Sequence, residues 1–207
     1  MNETAKTFSE KGYCVVKNAI PADLRDFITQ YALFDEMQDF NPDEMQVVGA
    51  HSKYADPAME TMLLHLHDRM EENTGLSLSP TYSFYRVYRE GDELAVHKDR
   101  ESCEVSCTVC FNYSYDDSEY EWPIFMEDFP AVLEPGDLVI YRGCDLKHWR
   151  EPFKAGDDHW QVQGFFHYVN NDGPYSDFRF DQRESLGQLK TMSAPQKNTK
   201  SYIQYTA

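Results

Sequence analysis

The chain has 207 residues, 36 of them acidic against 19 basic, for a formal net charge of −17. A field of that sign repels polyanions, so duplex DNA, RNA and anionic membrane surfaces are excluded as expected partners. Hydrophobic residues at 41% and aromatics at 14% exclude a disordered chain and suffice for one domain with a sizeable core, the many Tyr and Phe favouring strands over a helical bundle.

The opening stretch, MNETAKTFSEKG, is polar and lacks the pattern of a secretory leader. No apolar run approaches membrane-spanning length, and five cysteines are an odd count for a disulfide framework. A reduced, cytoplasmic protein is the expectation. Tyr13 to Lys17 reads as a short strand ending in a turn before Pro21. From Ala22, apolar residues recur at Leu24, Phe27, Ile28 and Tyr31, the period of an amphipathic helix started by the proline. Residues 35–56 are acidic and predict a loop with short pieces of structure. A second helix fits 57–73, with Met59, Met62, Leu63, Leu66 and Met70 in one stripe and Gly75 at its stop.

Past Gly75 the pattern changes to strands: TYSFYRVYRE, ELAVHKD, CEVSCTVCFNY, WPIFME, GDLVIYRG and WQVQGFFHYVN. Turn-rich breaks separate them at Glu90-Gly91-Asp92, Asp116-Asp117-Ser118 and Pro135-Gly136-Asp137. Helices followed by short antiparallel strands predict a mainly β sandwich or jelly roll with helices packed on one sheet. Residues 1–187 form the expected single domain, with helical support over 22–75 and a β core over 80–170. Residues 188–207 read as a polar C-terminal extension.

Cys103, Cys107 and Cys110 have a C-x3-C-x2-C spacing that suggests an iron–sulfur cluster. Cluster ligands must converge, and a strand turns alternate residues to opposite faces. Cys103 and Cys107 are then expected on one face and Cys110 on the other, so no iron–sulfur cluster is predicted. Val105, Cys107, Val109 and Phe111 form an apolar face suited to packing under a helix, and Ser106, Thr108, Cys110 and Asn112 a more polar face suited to lining a cavity.

The same alternation puts His97 and Asp99 of LAVHKD on one side, with Lys98 turned away. Alone, an H-x-D pair also fits a solvated strand edge. With His148 of KHWREPF, it supplies two imidazoles and one carboxylate, the facial triad of non-haem Fe(II) oxygenases.

FSEKGYCVVKNAI, YREGDELAVHKD, CTVCFNY and PGDLVIY followed by HWREPF together resemble the iron(II)/2-oxoglutarate-dependent oxygenases, in their prolyl-hydroxylase-like and phytanoyl-CoA-hydroxylase-like branches. The resemblance spans most of residues 8–170. It implies a double-stranded β-helix, Fe(II) on His97, Asp99 and His148, 2-oxoglutarate and O2 as cosubstrates, and hydroxylation of a small molecule or protein side chain with release of succinate and CO2. Halogenating relatives leave the carboxylate position open, and Asp99 fills it.

The family places an Arg or Lys about ten residues after the distal histidine to hold the cosubstrate's far carboxylate. GDDHWQVQG contains neither. Arg150, two residues after His148, is the leading substitute, and Arg86 is the second. Tyr88 is a candidate hydroxyl donor to the same carboxylate, and Thr108 a candidate wall residue. His65 and His67 fall on different helix faces, and His51 and His159 in predicted loops. His167 is expected in a supporting or core role, and Trp122 and Trp149 are candidate pocket walls. Two other readings of the same barrel stay open: a cupin-type metalloprotein that does not use 2-oxoglutarate, and a non-catalytic ligand-binding member of the fold. Expected partners are a small-molecule or peptide substrate, and the oligomeric state is left open.

Overall fold

A computed structural model describes residues 2–38, 46–115 and 120–187. The break at 116–118, residues 39–45 of the acidic stretch and the C-terminal extension lie outside the described residues. The polar N-terminus, for which the sequence raised no helical expectation, forms α1 (Glu3–Lys11). Its ends are set by Asn2, whose side chain accepts from Ala5 N, and by Gly12 at φ 80°, whose N–H reaches Phe8 O. Only Ala5 and Phe8 of this helix are buried, too little apolar periodicity to read.

The strand β1 (Tyr13–Val16) leads to α2 (Ala22–Gln38), which continues past the expected boundary at residue 35. Ion pairing explains the extension: Glu36 accepts from Arg89 Nη2 at 2.5 Å, and Asp35 accepts from His51 Nε2 at 2.9 Å and from Tyr85 and Lys53. His51, expected in a loop, begins β2 (His51–Tyr54) and is fully buried. α3 (Pro57–Thr74) starts at Asp56, which caps Ala58 N and Met59 N, and stops at Gly75 with φ 72°.

The remaining strands are β3 (Leu78–Tyr88), β4 (Leu94–His97), β5 (Val105–Tyr113), β6 (Ile124–Met126), β7 (Phe129–Ala131), β8 (Leu138–Tyr141), β9 (His148–Arg150) and β10 (Gln161–Asn170). One sheet runs β1-β8-β5-β10-β3-β2, the other β4-β9-β6-β7, and every pairing is antiparallel. The fold is a mainly β jelly roll with its helices on one face of the larger sheet.

Strand alternation divides that larger sheet. Tyr85, Val87, Val105, Cys107, Val109, Phe111 and Phe166 join Met59, Leu63, Leu66 and Ile28 in the helix-backed core. The opposite face turns Tyr82, Phe84 and Arg86 of β3 and Phe165 and His167 of β10 toward the smaller sheet, where they border a cavity. Register aligns these layers: β10 lies between β3 and β5, with Phe165 between Phe84 and Thr108, and Gln163 between Arg86 and Cys110.

Candidate metal centre

His97 ends β4, and His148 begins β9 directly across the ladder from it. The chain then leaves β4 and turns Asp99 inward, its N–H donating to Gly143 O at 2.9 Å. His97 Nε2 lies 3.6 Å and His148 Nε2 3.5 Å from Asp99 Oδ1. The two imidazole centroids are 4.2 Å apart. Each ring is fixed from behind, with Nδ1 of His97 2.8 Å from Ala95 O and Nδ1 of His148 3.1 Å from Leu146 O. Tyr141 packs its ring 4.8 Å from His148.

Asp99 is shaped by its surroundings on the other side as well. Ser106 Oγ lies 3.3 Å from Asp99 Oδ2 and 2.8 Å from His167 Nδ1, so one hydroxyl ties the carboxylate to β10. Gly143 leaves the room the carboxylate needs: a Cβ there would land on Cys103 O and Asp99 Oδ2 and lie 3.0 Å from Asp99 Cβ. Burial works to raise the Asp99 pKa, but the adjoining His148 and His97 imidazoles outweigh it and hold the carboxyl well below its usual range. Burial lowers and the Asp99 contact raises the pKa of His97, with a net upward shift.

The cavity beside the triad has a volume of about 250 Å³. His97, Asp99 and His148 border it, as does Arg86, whose guanidinium lies 5.2–5.4 Å from the rings of Phe84, Tyr88 and Phe165. Arg150, Tyr88 and Thr108 are buried but do not border the cavity. Arg150 does share a face with His148, yet its side chain is enclosed. Nη1 donates to Trp122 O at 2.8 Å, the guanidinium stacks 4.4 Å from the Trp122 ring, and Nη2 reaches the Gln163 carboxamide at 3.1 Å. That carboxamide also bonds Thr108 Oγ1 at 3.1 Å. Tyr88 accepts from Arg86 Nη1 at 2.8 Å. Trp122 is packed against Tyr88 and Phe153, and Trp149 stacks on Phe125; neither borders the cavity.

The cysteines differ from expectation at one position. Cys103 closes a 3-10 turn, Glu101–Cys103, before β5 begins, so strand alternation does not govern it. Its Sγ lies beside Asp99 and His167, all three offering ligand atoms within 4.8 Å of one another, and 3.1 Å from Tyr82 OH. Cys107 lies in the helix-backed core and Cys110 in a separate cluster with Ile124 and Tyr141. Burial lowers the His167 pKa to about 4. Sequence reasoning missed Tyr54, Tyr82 and Arg100, which also border the cavity; Arg100 adjoins Asp99 in the chain, a signal that was available.

No protein-family model matches the sequence, and no curated protein matches it. Solved structures do. A Pseudomonas putida prolyl-4-hydroxylase superposes with a TM-score of 0.63 at 18% identity, covering 79% of this chain and 96% of that one. The non-heme alpha ketoglutarate dependent epimerase SnoN from nogalamycin biosynthesis gives 0.69 at 12%, covering 93% and 90%. HygX from Streptomyces hygroscopicus, with nickel and 2-oxoglutarate bound, gives 0.62 at 10%, covering 83% and 88%. The chain has the fold of the 2-oxoglutarate-dependent oxygenases. In this double-stranded β-helix His97 and His148 lie on the smaller sheet and Asp99 in the coil that follows β4, the three clustered where they border the cavity.

Proposed function

We propose that the protein is an Fe(II)- and 2-oxoglutarate-dependent dioxygenase that hydroxylates a small molecule or a protein side chain and releases succinate and CO2. The observation that carries this reading is the convergence of His97 Nε2, His148 Nε2 and Asp99 Oδ1 at the wall of a cavity. The donor set fits the metal. Both imidazoles commit Nδ1 to a backbone carbonyl, which fixes the proton there and leaves Nε2 as the donor. Two imidazoles and one carboxylate hold Fe(II) while leaving positions open.

Bound iron would supply O2 activation and the oxidative decarboxylation of 2-oxoglutarate. The chain's own groups bind and orient. Arg86 is the proposed anchor for the far carboxylate of 2-oxoglutarate, because it borders the cavity and Tyr88 OH and three aromatic rings fix its plane. Arg150, the leading expectation from sequence, passes to a supporting role behind Gln163, where it adds positive potential without touching the cavity. Thr108 acts through the same carboxamide. Leu94, Ile124, Phe84 and Phe165 supply apolar wall that excludes water from the reacting groups. Asp99 fills the carboxylate position, which favours hydroxylation.

Succinate formation tests the proposal. The purified protein is expected to convert 2-oxoglutarate to succinate only with Fe(II) and O2 present, slowly without substrate. Asp99→Ala and His148→Ala are expected to abolish the conversion. Succinate production that survives both substitutions would remove the triad from the reaction.

A further inference from the structure

The described residues that border the cavity carry a charge balance opposite to that of the protein. In a chain of net charge −17, Asp99 is the one acidic residue among the described residues that border the cavity, whereas Arg86 and Arg100 both border it. With Arg86 given to the cosubstrate, Arg100 remains, next in the chain to Asp99.

Arg100 is held in a way that leaves a defined part of its donor set unused. Asp181 takes the end-on fork, with Oδ1 2.5 Å from Nη1 and Oδ2 3.1 Å from Nη2; Nη1 also donates to Ser102 Oγ at 2.6 Å. The guanidinium lies 4.6 Å from the Tyr82 ring centroid. A guanidinium has five N–H donors in one plane. These bonds engage three of them and leave Nε–H and the second Nη2–H, which form the parallel side-on fork. Among the described residues no acceptor takes either, and the Arg100 side chain is 44% exposed.

The partner holding Arg100 is itself over-determined. Asp181 is 1% exposed and also accepts from Ser102 Oγ and Tyr54 OH, each at 2.6 Å. It stands in a run of left-handed backbone, with φ of 55°, 55° and 60° at Phe180, Asp181 and Gln182. Such a run costs on the order of 1–3 kcal/mol per residue and persists only where the surroundings impose it. Arg100 is therefore ordered before any ligand arrives, which lowers the entropic cost of binding through it.

We propose that Arg100 binds the substrate and that the substrate carries a carboxylate, seated on the Nε–H and Nη2–H edge with its reacting carbon toward the metal triad. The proposal rests on the dioxygenase reading and adds a substrate class to it. A planar monoanion matches the fork, while a dianion would meet the Asp181 charge behind the guanidinium. Arg100 lies over Tyr82, and Arg86 stands four residues further along the same strand face, roughly 13 Å away along β3. The two guanidiniums thus mark two anion-binding ends of one cavity. About 250 Å³ for cosubstrate and substrate together favours a small acid such as a free amino acid or hydroxy acid.

Anaerobic protein loaded with Fe(II) and 2-oxoglutarate, titrated with the common L-amino acids, small hydroxy acids and the primary amide of each, separates the two claims. The visible charge-transfer band before any addition tests the dioxygenase reading, and its perturbation by the additions tests the proposal. Acids are expected to perturb the band, with the matching amides weaker by roughly 10- to 100-fold. Arg100→Lys keeps a cation opposite Asp181 but loses the fork, and should weaken the best acid about tenfold or more, with a melting curve verifying its fold. The acid-against-amide comparison in the parent protein stands whether or not that variant folds. Amides equal to acids, no acid acting, or unchanged affinity in a folded Arg100→Lys would each overturn the proposal.

Discussion

Ser106 joins a proposed metal ligand to the opposite sheet through one hydroxyl. Its Oγ spans Asp99 Oδ2 and His167 Nδ1, so Ser106→Ala frees a carboxylate oxygen without removing a ligand. Outer-sphere partners of this kind are worth about 10- to 100-fold in metal affinity. Calorimetric Co(II) titration of Ser106→Ala should show a loss at the lower end of that range, and an unchanged affinity would mean that Asp99 is held by backbone alone. Gly143→Ala acts on the same carboxylate by crowding, since its Cβ would occupy the space of Asp99 Oδ2 and Cys103 O; metal binding should be lost outright. Arg86→Gln should raise the KM for 2-oxoglutarate roughly 10- to 100-fold, the worth of a charge-assisted pair, while Co(II) affinity stays at the parent value. Arg150→Gln provides the contrast, with a KM near the parent's, because its hydrogen bonds end on Trp122 and Gln163.

At the scale of elements, α3 depends on its cap. Asp56 accepts from Ala58 N, Met59 N and Tyr31 OH, the last at 2.6 Å, and so secures both the start of α3 and its contact with α2. Asp56→Ala should cost about 1–2 kcal/mol in urea denaturation. The same kind of signal made α3 legible in the sequence: Pro57, a Met/Leu stripe and Gly75 bracket it. The strands around the triad were legible in part: His97 ends a short alternating run, but Asp99 lies in the coil beyond β4 rather than on the strand, and the three-residue β9 that carries His148 is too short to show a period. What escaped had no periodicity to show. α1 buries two side chains and depends on Asn2 and Gly12; β7 (Phe129–Ala131) is three residues long and contains Pro130. Cys103 was put on a strand face because the 3-10 turn before Val105 carries no Gly or Pro to announce it. Arg150, two residues after His148, and Arg86, in the strand leading toward His97, were both candidate cations for the cosubstrate, and only the third dimension distinguishes a residue enclosed by Trp122 and Gln163 from one at the cavity wall. Asp181, in an irregular 3-10 segment far from the triad in sequence, offered no motif at all.

The whole molecule carries its −17 charge as self-repulsion, screened only by salt. Raising ionic strength from about 0.01 M to about 0.15 M shortens the screening length from roughly 30 Å to roughly 8 Å, and the melting temperature should rise accordingly. Acid acts in the other direction through particular carboxylates. Burial raises the pKa of Asp181, but Arg100, Ser102 and Tyr54 hold it well below the usual range, and Asp35 is lowered likewise against its own burial by Lys53, Tyr85 and His51. A folded pKa below the unfolded one contributes stability that is present above about pH 4 and lost as pH falls further. Melting curves should therefore drop below that pH, less steeply in Asp181→Asn. Among the described residues no helix is long and apolar enough to cross a membrane. The central claim is that His97, Asp99 and His148 hold iron next to a 2-oxoglutarate site, and anaerobic Fe(II) titration in the presence and absence of 2-oxoglutarate tests it most directly. The account predicts a weak visible charge-transfer band that needs both components and disappears in Asp99→Ala; iron binding indifferent to 2-oxoglutarate, or a band that survives the substitution, would contradict it.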